Sequence, residues 1–197
     1  ARVAAVDINE KTLQETVELA GDRKDKISIH VVNIADKAAV EALPAAVLAA
    51  HKVVDGIVNN AGVIQKFVRF KDLAYAEIER MIDINFYGTI YMTKAFLPLL
   101  IQRPEANITN VSSMGGFLPV PGQTMYGASK AAVKLFTEGL HSELTGTNVH
   151  ATVVFPGAIE TNISANSGVS ITTSNPSEKP KSMKTTPAPV AAEKIIE

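Results

Sequence analysis

Tyr126 and Lys130 put a phenol and an ammonium four residues apart, and on a helix that spacing sets them on one face. A phenol of ordinary pKa about 10 is a poor acid or base at neutral pH; a fixed cation beside it favours the phenolate and brings it towards the working range. A Tyr and a Lys at this interval also arise by chance on amphipathic helices, so the pair alone carries little. Ser113 gives it company. It stands thirteen positions before Tyr126, after the β-branched run 107–111 and just before Gly115 and Gly116. A hydroxyl at the carboxyl end of a parallel strand sits where open α/β sheets bind ligands.

The elements that must hold these groups follow from the hydrophobic pattern. Short β-branched runs at 2–6, 27–32, 56–59, 107–111 and 149–155 alternate with longer segments of helical period, as expected of βαβ units on a parallel sheet. In 10–20, Leu13, Val17 and Ala20 make one apolar stripe; after Asp36, a plausible N-cap, Val40, Leu43, Val47 and Leu48 make another, with Pro44 expected to bend or break that helix. A long helical stretch spans 73–100, where Ile78, Ile82, Phe86 and Ile90 keep a four-residue beat, and the helix of Tyr126 spans 124–144. The segment 162–187 is rich in Ser, Thr, Asn and Pro without period, so it reads as a substrate-side loop or lid. Pro189 then opens a last helical segment at 190–197.

Composition excludes more than it assigns. A chain of 197 residues, 46% hydrophobic, suits one α/β domain, 1–197. Nineteen Lys and Arg against 20 Asp and Glu give a net charge of −1, with no charge run that would make a nucleic-acid or polybasic membrane footprint. The absence of Cys excludes disulfides, thiolate catalysis and Cys-ligated metals. His30, His51, His141 and His150 lack the spacing of paired metal ligands and read as surface or edge residues, so no metal site is expected. No apolar run reaches the roughly twenty residues of a membrane span.

Three more motifs join the Ser and the Tyr–Lys pair. Asn59-Asn60-Ala61-Gly62 closes a strand, Asp83-Ile84-Asn85 interrupts an apolar helix, and Pro156-Gly157-Ala158-Ile159-Glu160-Thr161 follows the strand 149–155. Singly, each has an ordinary reading: an Asn/Gly turn, a locally bonded helix Asn, a strand-ending turn. Together, in this order and across nearly the whole chain, they resemble the short-chain dehydrogenase/reductase family of the classical type. The resemblance implies a doubly wound, Rossmann-like, three-layer fold with a mostly parallel sheet, here incomplete at both ends. It also implies hydride transfer between a nicotinamide cofactor and a secondary alcohol or ketone. Tyr126 would be the general acid/base, Ser113 the hydrogen-bond partner of the substrate oxygen, and Lys130 would lower the Tyr126 pKa and grip the nicotinamide ribose. Asn85 would hold a water that extends the proton path from Lys130. Gly62 and Ala61 would let backbone approach the cofactor, and Asn59 would tie neighbouring strands. Pro156, Gly157, Ile159 and Thr161 would hold the nicotinamide carboxamide.

Asp7 ends the first strand, where an acid accepts hydrogen bonds from an adenosine ribose and repels a 2′-phosphate, so NAD is favoured over NADP. Asp7 as a cap for the helix that follows is a competing reading. At the end of the next strand the family usually has Asp facing the adenine amino group; here Asn33 stands, followed by Ile34, and an amide oxygen accepts the same bond. The glycine-rich phosphate turn of the family would fall before Ala1. With it would go a central strand, leaving two neighbours with open edges, and these 197 residues alone are expected to bind no dinucleotide and to show no activity.

A catalytically silent dinucleotide-binding regulator or scaffold is the alternative of a different class; the intact set Asn85, Ser113, Tyr126 and Lys130 argues against it. Sugar-nucleotide epimerases and dehydratases share the Tyr and Lys but usually carry a larger carboxyl-terminal region. Phe117, Leu118, Val120 and Pro121 either line an apolar wall for a hydrophobic substrate or pack against the sheet. The resemblance implies a homodimer or homotetramer through the helices of Asn85 and Tyr126. Cytoplasm is the default location, and a targeting segment before Ala1 is outside view.

Overall fold

The computed structural model describes residues 1–169 and 185–196. Strand β1 (Val3–Asp7) is followed by helix α1 (Glu10–Leu19), which starts where the Asn9 side chain accepts from the Thr12 N–H at 3.3 Å. Strand β2 (Ile27–Val31) pairs parallel to β1, and the Asp36 carboxylate then caps α2 (Lys37–His51) by accepting from Ala38 and Ala39 at 3.0 and 3.2 Å. Pro44, expected to bend or break α2, does not break it: the helix runs through that residue. Proline forfeits one backbone bond there, but Val40, Leu43 and Val47 are buried around it and keep the helix on the core.

Strand β3 (Gly56–Asn59) leads through a long loop to α3 (Tyr75–Ile82) and α4 (Gly88–Leu100), which are joined without a break by a π-type turn at Asp83–Tyr87. The long helix expected over 73–100 is therefore real but carries a wider turn centred on Asn85. Strand β4 (Ala106–Val111), helix α5 (Thr124–Glu143) and strand β5 (Val149–Val154) complete the main body. Strands β3, β4 and β5 pair in parallel in that order.

The fold is α/β, with parallel strands and right-sized helical crossovers of the doubly wound kind. No ladder joins β1 to β3 among the described residues, so the hydrogen-bonded strands fall into a pair and a triplet. Both edges nevertheless flank one core: Leu43, Val47 and Phe96 pack against Ala4 and Val6 of β1 and Ile57 of β3. A second core, with Leu100, Ile108, Leu140, Val149 and Ala151, presses α4 and α5 onto β4 and β5.

Within the stretch expected to lack structure, a short helix α6 (Ile163–Asn166) forms, and strand β7 (Thr186–Pro187) pairs with β6 (Ile159–Glu160) ahead of α7 (Ala188–Ile196). Residues 170–184 of the expected lid lie outside the described residues. His30 and His51 are not simply surface residues. They are half-buried and share the Ser28 hydroxyl, each with Nε2 at 2.8 Å from it. No helix among the described residues is long and apolar enough to cross a membrane.

Candidate active site

Strand β4 ends at Val111, and the next two residues do different work. The Ser112 hydroxyl is buried and donates to the Lys130 carbonyl at 2.7 Å, fastening the middle of α5 to the strand end. Ser113 is half-buried, and its Oγ accepts from the Gly115 N–H at 3.0 Å, turning the chain into one 3₁₀ turn. Pro156, at the end of β5, helps hold this turn by accepting from the Met114 N–H at 3.0 Å.

Three glycines let the turn press against α5. A Cβ on Gly115 would stand 3.3 Å from Tyr126 Cε1 and 3.4 Å from Ser113 Oγ. A Cβ on Gly116 would meet the Ala131 nitrogen at 3.1 Å, and one on Gly127 would meet the Gly115 carbonyl oxygen at 2.9 Å. The close approach of backbone to backbone is what brings Ser113 beside the Tyr126 ring. Gly115, Gly116 and Gly127 are thus functional positions that the motif spacing had not singled out.

Lys130 is 4% exposed, and its ammonium donates to the Val111 carbonyl at 2.9 Å. Gly62 lies against it: a Cβ there would stand 3.3 Å from Lys130 Nζ and 3.2 Å from Asn85 Oδ1. Asn85 is likewise buried. Its Oδ1 accepts from the Val63 N–H at 2.8 Å, while Nδ2 donates to the Val63 carbonyl at 2.9 Å and to Ser129 Oγ at 3.0 Å. The structure thus gathers Gly62, Asn85, Ser113, Tyr126 and Lys130 at the carboxyl ends of β3 and β4.

Both Asn85 amide hydrogens are taken by Val63 and Ser129, so its side chain fastens the Gly62 loop to α5. One expected role needs correction. Lys130 was expected to lower the Tyr126 pKa. Instead burial raises the phenol above its ordinary value, and the Ser113 hydroxyl opposes that rise. The Lys130 ammonium is turned to the Val111 carbonyl, and burial without a carboxylate partner lowers it from 10.5 to about 8. Spacing had put the two groups on one face. Desolvation, which spacing does not reveal, dominates both.

Asn59 is buried, and its Nδ2 donates to Asn110 Oδ1 at 2.8 Å and to Thr93 Oγ1 at 3.1 Å; Asn110 passes the chain on to Thr137 at 2.9 Å. This polar ladder ties β3 to β4 and to the helices on either side, the strand-tying role expected of Asn59. Asn110, Thr93 and Thr137 had given no signal in the sequence beyond being polar within apolar segments. Ala61 is exposed beside Gly62.

The adenosine side is more open. Asp7 ends β1, exposed, with Oδ1 accepting from the Asn9 N–H at 2.8 Å. Asn9, not Asp7, caps α1, so the competing reading of Asp7 as the helix cap is excluded. The Asn33 oxygen already accepts from Ala35 at 3.1 Å, closing the turn before α2. Ile34 turns its side chain onto Gly88, where a Cβ would stand 2.6 Å from Ile34 Cδ1. Gly157 faces open space, Ile159 pairs in β6, and Thr161 Oγ1 accepts from the Ile163 N–H at 3.4 Å. An open hollow of about 620 Å³ lies beside Glu160, Thr161, Asn162, Asn166 and Ala188, and none of Ser113, Tyr126 and Lys130 lines it. Phe117 is 49% exposed. Its ring packs on Phe155 with centroids 4.4 Å apart, under Lys134 Nζ at 5.5 Å. Leu118 and Val120 are exposed.

The residues fit the nicotinamide end of a dinucleotide. Lys130 is a buried ammonium with no carboxylate partner among the described residues, and the backbone at Gly62 comes so close that a side chain would fill the space between them. The short chain dehydrogenase family's sequence model matches residues 1–170. SadH of Mycobacterium tuberculosis, an oxidoreductase by its name, is 37% identical over 171 residues, which is 86% of this chain and 62% of that protein. The chain therefore spans about three fifths of the length of such curated relatives. Among solved structures, the closed form of a serine dehydrogenase complexed with NADP+ is 32% identical with a TM-score of 0.77, covering 84% of this chain and 67% of that one. The 3-ketoacyl-(acyl-carrier-protein) reductase of Brucella melitensis complexed with NADH is 28% identical with a TM-score of 0.78, covering 83% and 68%.

Proposed function

We propose, from the premise that this chain belongs to the short-chain dehydrogenase family, that it interconverts a secondary alcohol and a ketone with a nicotinamide dinucleotide, NAD in preference to NADP. The observation that carries this reading is the convergence of Ser113, Tyr126 and Lys130 at the end of β4, with Gly62 and Asn85 against Lys130. When bound, the nicotinamide supplies or takes the hydride.

The chain's own residues handle position and proton. The Tyr126 phenol, raised above its ordinary value by burial, donates to a carbonyl oxygen; in the reverse direction the phenolate accepts the alcohol proton. The Ser113 hydroxyl, beside the phenol, donates to the same substrate oxygen as charge develops on it. Lys130, with donor capacity beyond its bond to Val111, binds the nicotinamide ribose. Asp7, exposed at the end of β1, accepts from the adenosine ribose and repels a 2′-phosphate. Ile159 and Thr161 hold the carboxamide, Pro156 and Gly157 shape that turn, and Asn33 and Ile34 border the adenine. The exposed Leu118 and Val120 favour an apolar substrate. A homodimer or homotetramer and a cytoplasmic location complete the proposal.

The test is a screen of alcohols and ketones against the full-length protein with NAD(H) and NADP(H), followed by nicotinamide absorbance. Turnover of a hydrophobic secondary alcohol or its ketone is expected. A protein that binds the cofactor and turns over nothing, and whose biological role survives Tyr126→Phe, is a regulator instead.

A further inference from the structure

The helix that carries Tyr126 begins without a cap of its own. The first N–H groups of any α-helix lack intrahelical acceptors, and a side-chain oxygen at the N-cap normally serves the second and third of them. Gln123 stands at that position in α5 and its side chain makes no capping bond. The two N–H groups that a cap would serve belong to Met125 and to Tyr126 itself.

Both are satisfied from elsewhere. Gln65 Oε1 accepts from the Met125 N–H at 3.0 Å and from the Tyr126 N–H at 3.1 Å, across 60 and 61 residues of sequence. Gln65 Nε2 donates to the Gly122 carbonyl at 2.8 Å, and Gln123 Nε2 donates back to the Gln65 carbonyl at 2.9 Å. The amide can face only one way in this setting, since its oxygen meets two donors and its nitrogen meets an acceptor. Gln65 and Gln123 are 2% and 5% exposed, so these bonds have no water to replace them. Gly122, at φ +82°, is packed where a Cβ would meet the Phe67 backbone at 3.3 Å, so the two segments touch along their length.

Gln65 also sits three residues beyond Gly62, on the loop that Asn85 holds through Val63. The backbone of Tyr126 is therefore bonded directly to the loop that approaches Lys130. Lys130 has anchors of its own, through Ser112 and Val111, and does not depend on the first turn of α5.

We propose that Gln65 is a positioning residue for Tyr126: its side-chain amide caps α5 in place of a local residue and sets the phenol relative to Ser113 and the Gly62 loop. A Gln at this place suits the task better than Ser or Asp, because it accepts from the helix while donating to the loop that precedes it. The effect on turnover rests on the hydride-transfer reading above; the effect on α5 does not.

The experiment uses the full-length protein as wild type, Gln65→Met and Gln65→Glu, with amide hydrogen exchange, cofactor affinity and the pH profile of turnover measured on each. Gln65→Met keeps the volume and loses every side-chain bond, while the Gln65 carbonyl still accepts from Gln123. It is expected to speed exchange at Met125 and Tyr126 by roughly five- to thirtyfold and to lower kcat by about 10- to 100-fold through misplacement of the phenol. Cofactor affinity stays within about twofold because Lys130 keeps its anchors. Gln65→Glu retains an oxygen for both N–H groups, favoured at a helix start. With its carboxyl protonated it also donates to the Gly122 carbonyl as the amide does, so it restores protection at those two amides and most of kcat at acid pH and loses both as the carboxyl ionises against that carbonyl, which moves the pH profile.

Unchanged exchange and kcat in Gln65→Met overturn the proposal. So does exchange accelerated evenly along the chain, with kcat falling only as the folded fraction falls, the pH profile unmoved and Gln65→Glu no better than Gln65→Met. Should Gln65→Met not fold, Gln65→Glu decides alone: protected Met125 and Tyr126 amides with near wild-type kcat at acid pH support the cap, and their loss of protection there refutes it. A wild-type protein that turns over no alcohol or ketone defeats the hydride-transfer reading, and exchange at the two amides still decides whether Gln65 caps α5.

Discussion

Replacing Lys130 with Met is expected to stabilise the protein while abolishing turnover. Lys130 is 4% exposed, has no carboxylate partner among the described residues, and titrates at about 8 instead of 10.5 because of its burial. A fall from 10.5 to about 8 is worth about 3 kcal/mol against the folded state at neutral pH, where the buried amine is still charged. Met fills nearly the same space without charge. The variant loses the bond from Nζ to the Val111 carbonyl, at 2.9 Å, and leaves that carbonyl unsatisfied at a cost of about 1–2 kcal/mol. The net expectation at pH 7 is a gain on the order of 1–2 kcal/mol.

The pH dependence carries the sharper signature. Between 8 and 10.5 the unfolded chain holds the Lys130 proton and the folded chain releases it, so the wild type gains stability as pH rises through that window. The stability that this group contributes is complete above 10.5 and lost below 8. The two proteins differ at this one side chain, so urea unfolding at pH 7 and at pH 9.5 isolates its contribution. The advantage of Lys130→Met over the wild type should shrink by about 2 kcal/mol between the two. A variant less stable than wild type by about 2 kcal/mol or more at pH 7, with an unchanged pH slope, would refute the claim that the charge is buried without compensation.

Two further substitutions probe the packing and the cofactor. Gly127→Ala gains about 1 kcal/mol in helix propensity, but its Cβ would stand 2.9 Å from the Gly115 carbonyl oxygen. The clash is with backbone and wins: a net loss of about 1–2 kcal/mol is expected by thermal unfolding, with kcat lowered about tenfold as Ser113 is pushed from Tyr126. Asp7→Ser removes the acid at the end of β1; the ratio of kcat/KM for NAD over that for NADP should fall by about tenfold or more, and an unchanged ratio would withdraw the NAD preference.

What could be read in the sequence was whatever has a local period. The alternation of β-branched runs with helical stripes marks the five main strands, because a strand or helix imposes its repeat on the residues that face the core. Tyr126 with Lys130, and Ser113 at a strand end, were visible for the same reason: α5 and β4 set their spacing. The strands Ile159–Glu160 and Thr186–Pro187 are two residues long, too short to display a period. Pro44 argued for a bend or a break by local propensity, and α2 runs through it with Val40, Leu43 and Val47 buried on the core.

The electrostatics of the site were misread for a different reason. Spacing says which side chains share a face, not how much water each loses, and it is lost water that shifts Tyr126 upward and Lys130 downward. Gln65 left no signal at all. A lone Gln in a loop becomes a helix cap only when tertiary structure carries it to a helix start 60 residues on.

The account stands or falls on Tyr126 as the proton donor and acceptor. The direct measurement is the single-turnover rate of hydride transfer in the full-length protein, wild type against Tyr126→Phe, at cofactor concentrations that saturate both. A loss of at least about a hundredfold, with cofactor affinity retained, is the predicted result; a Phe variant that transfers hydride at the wild-type rate would contradict it.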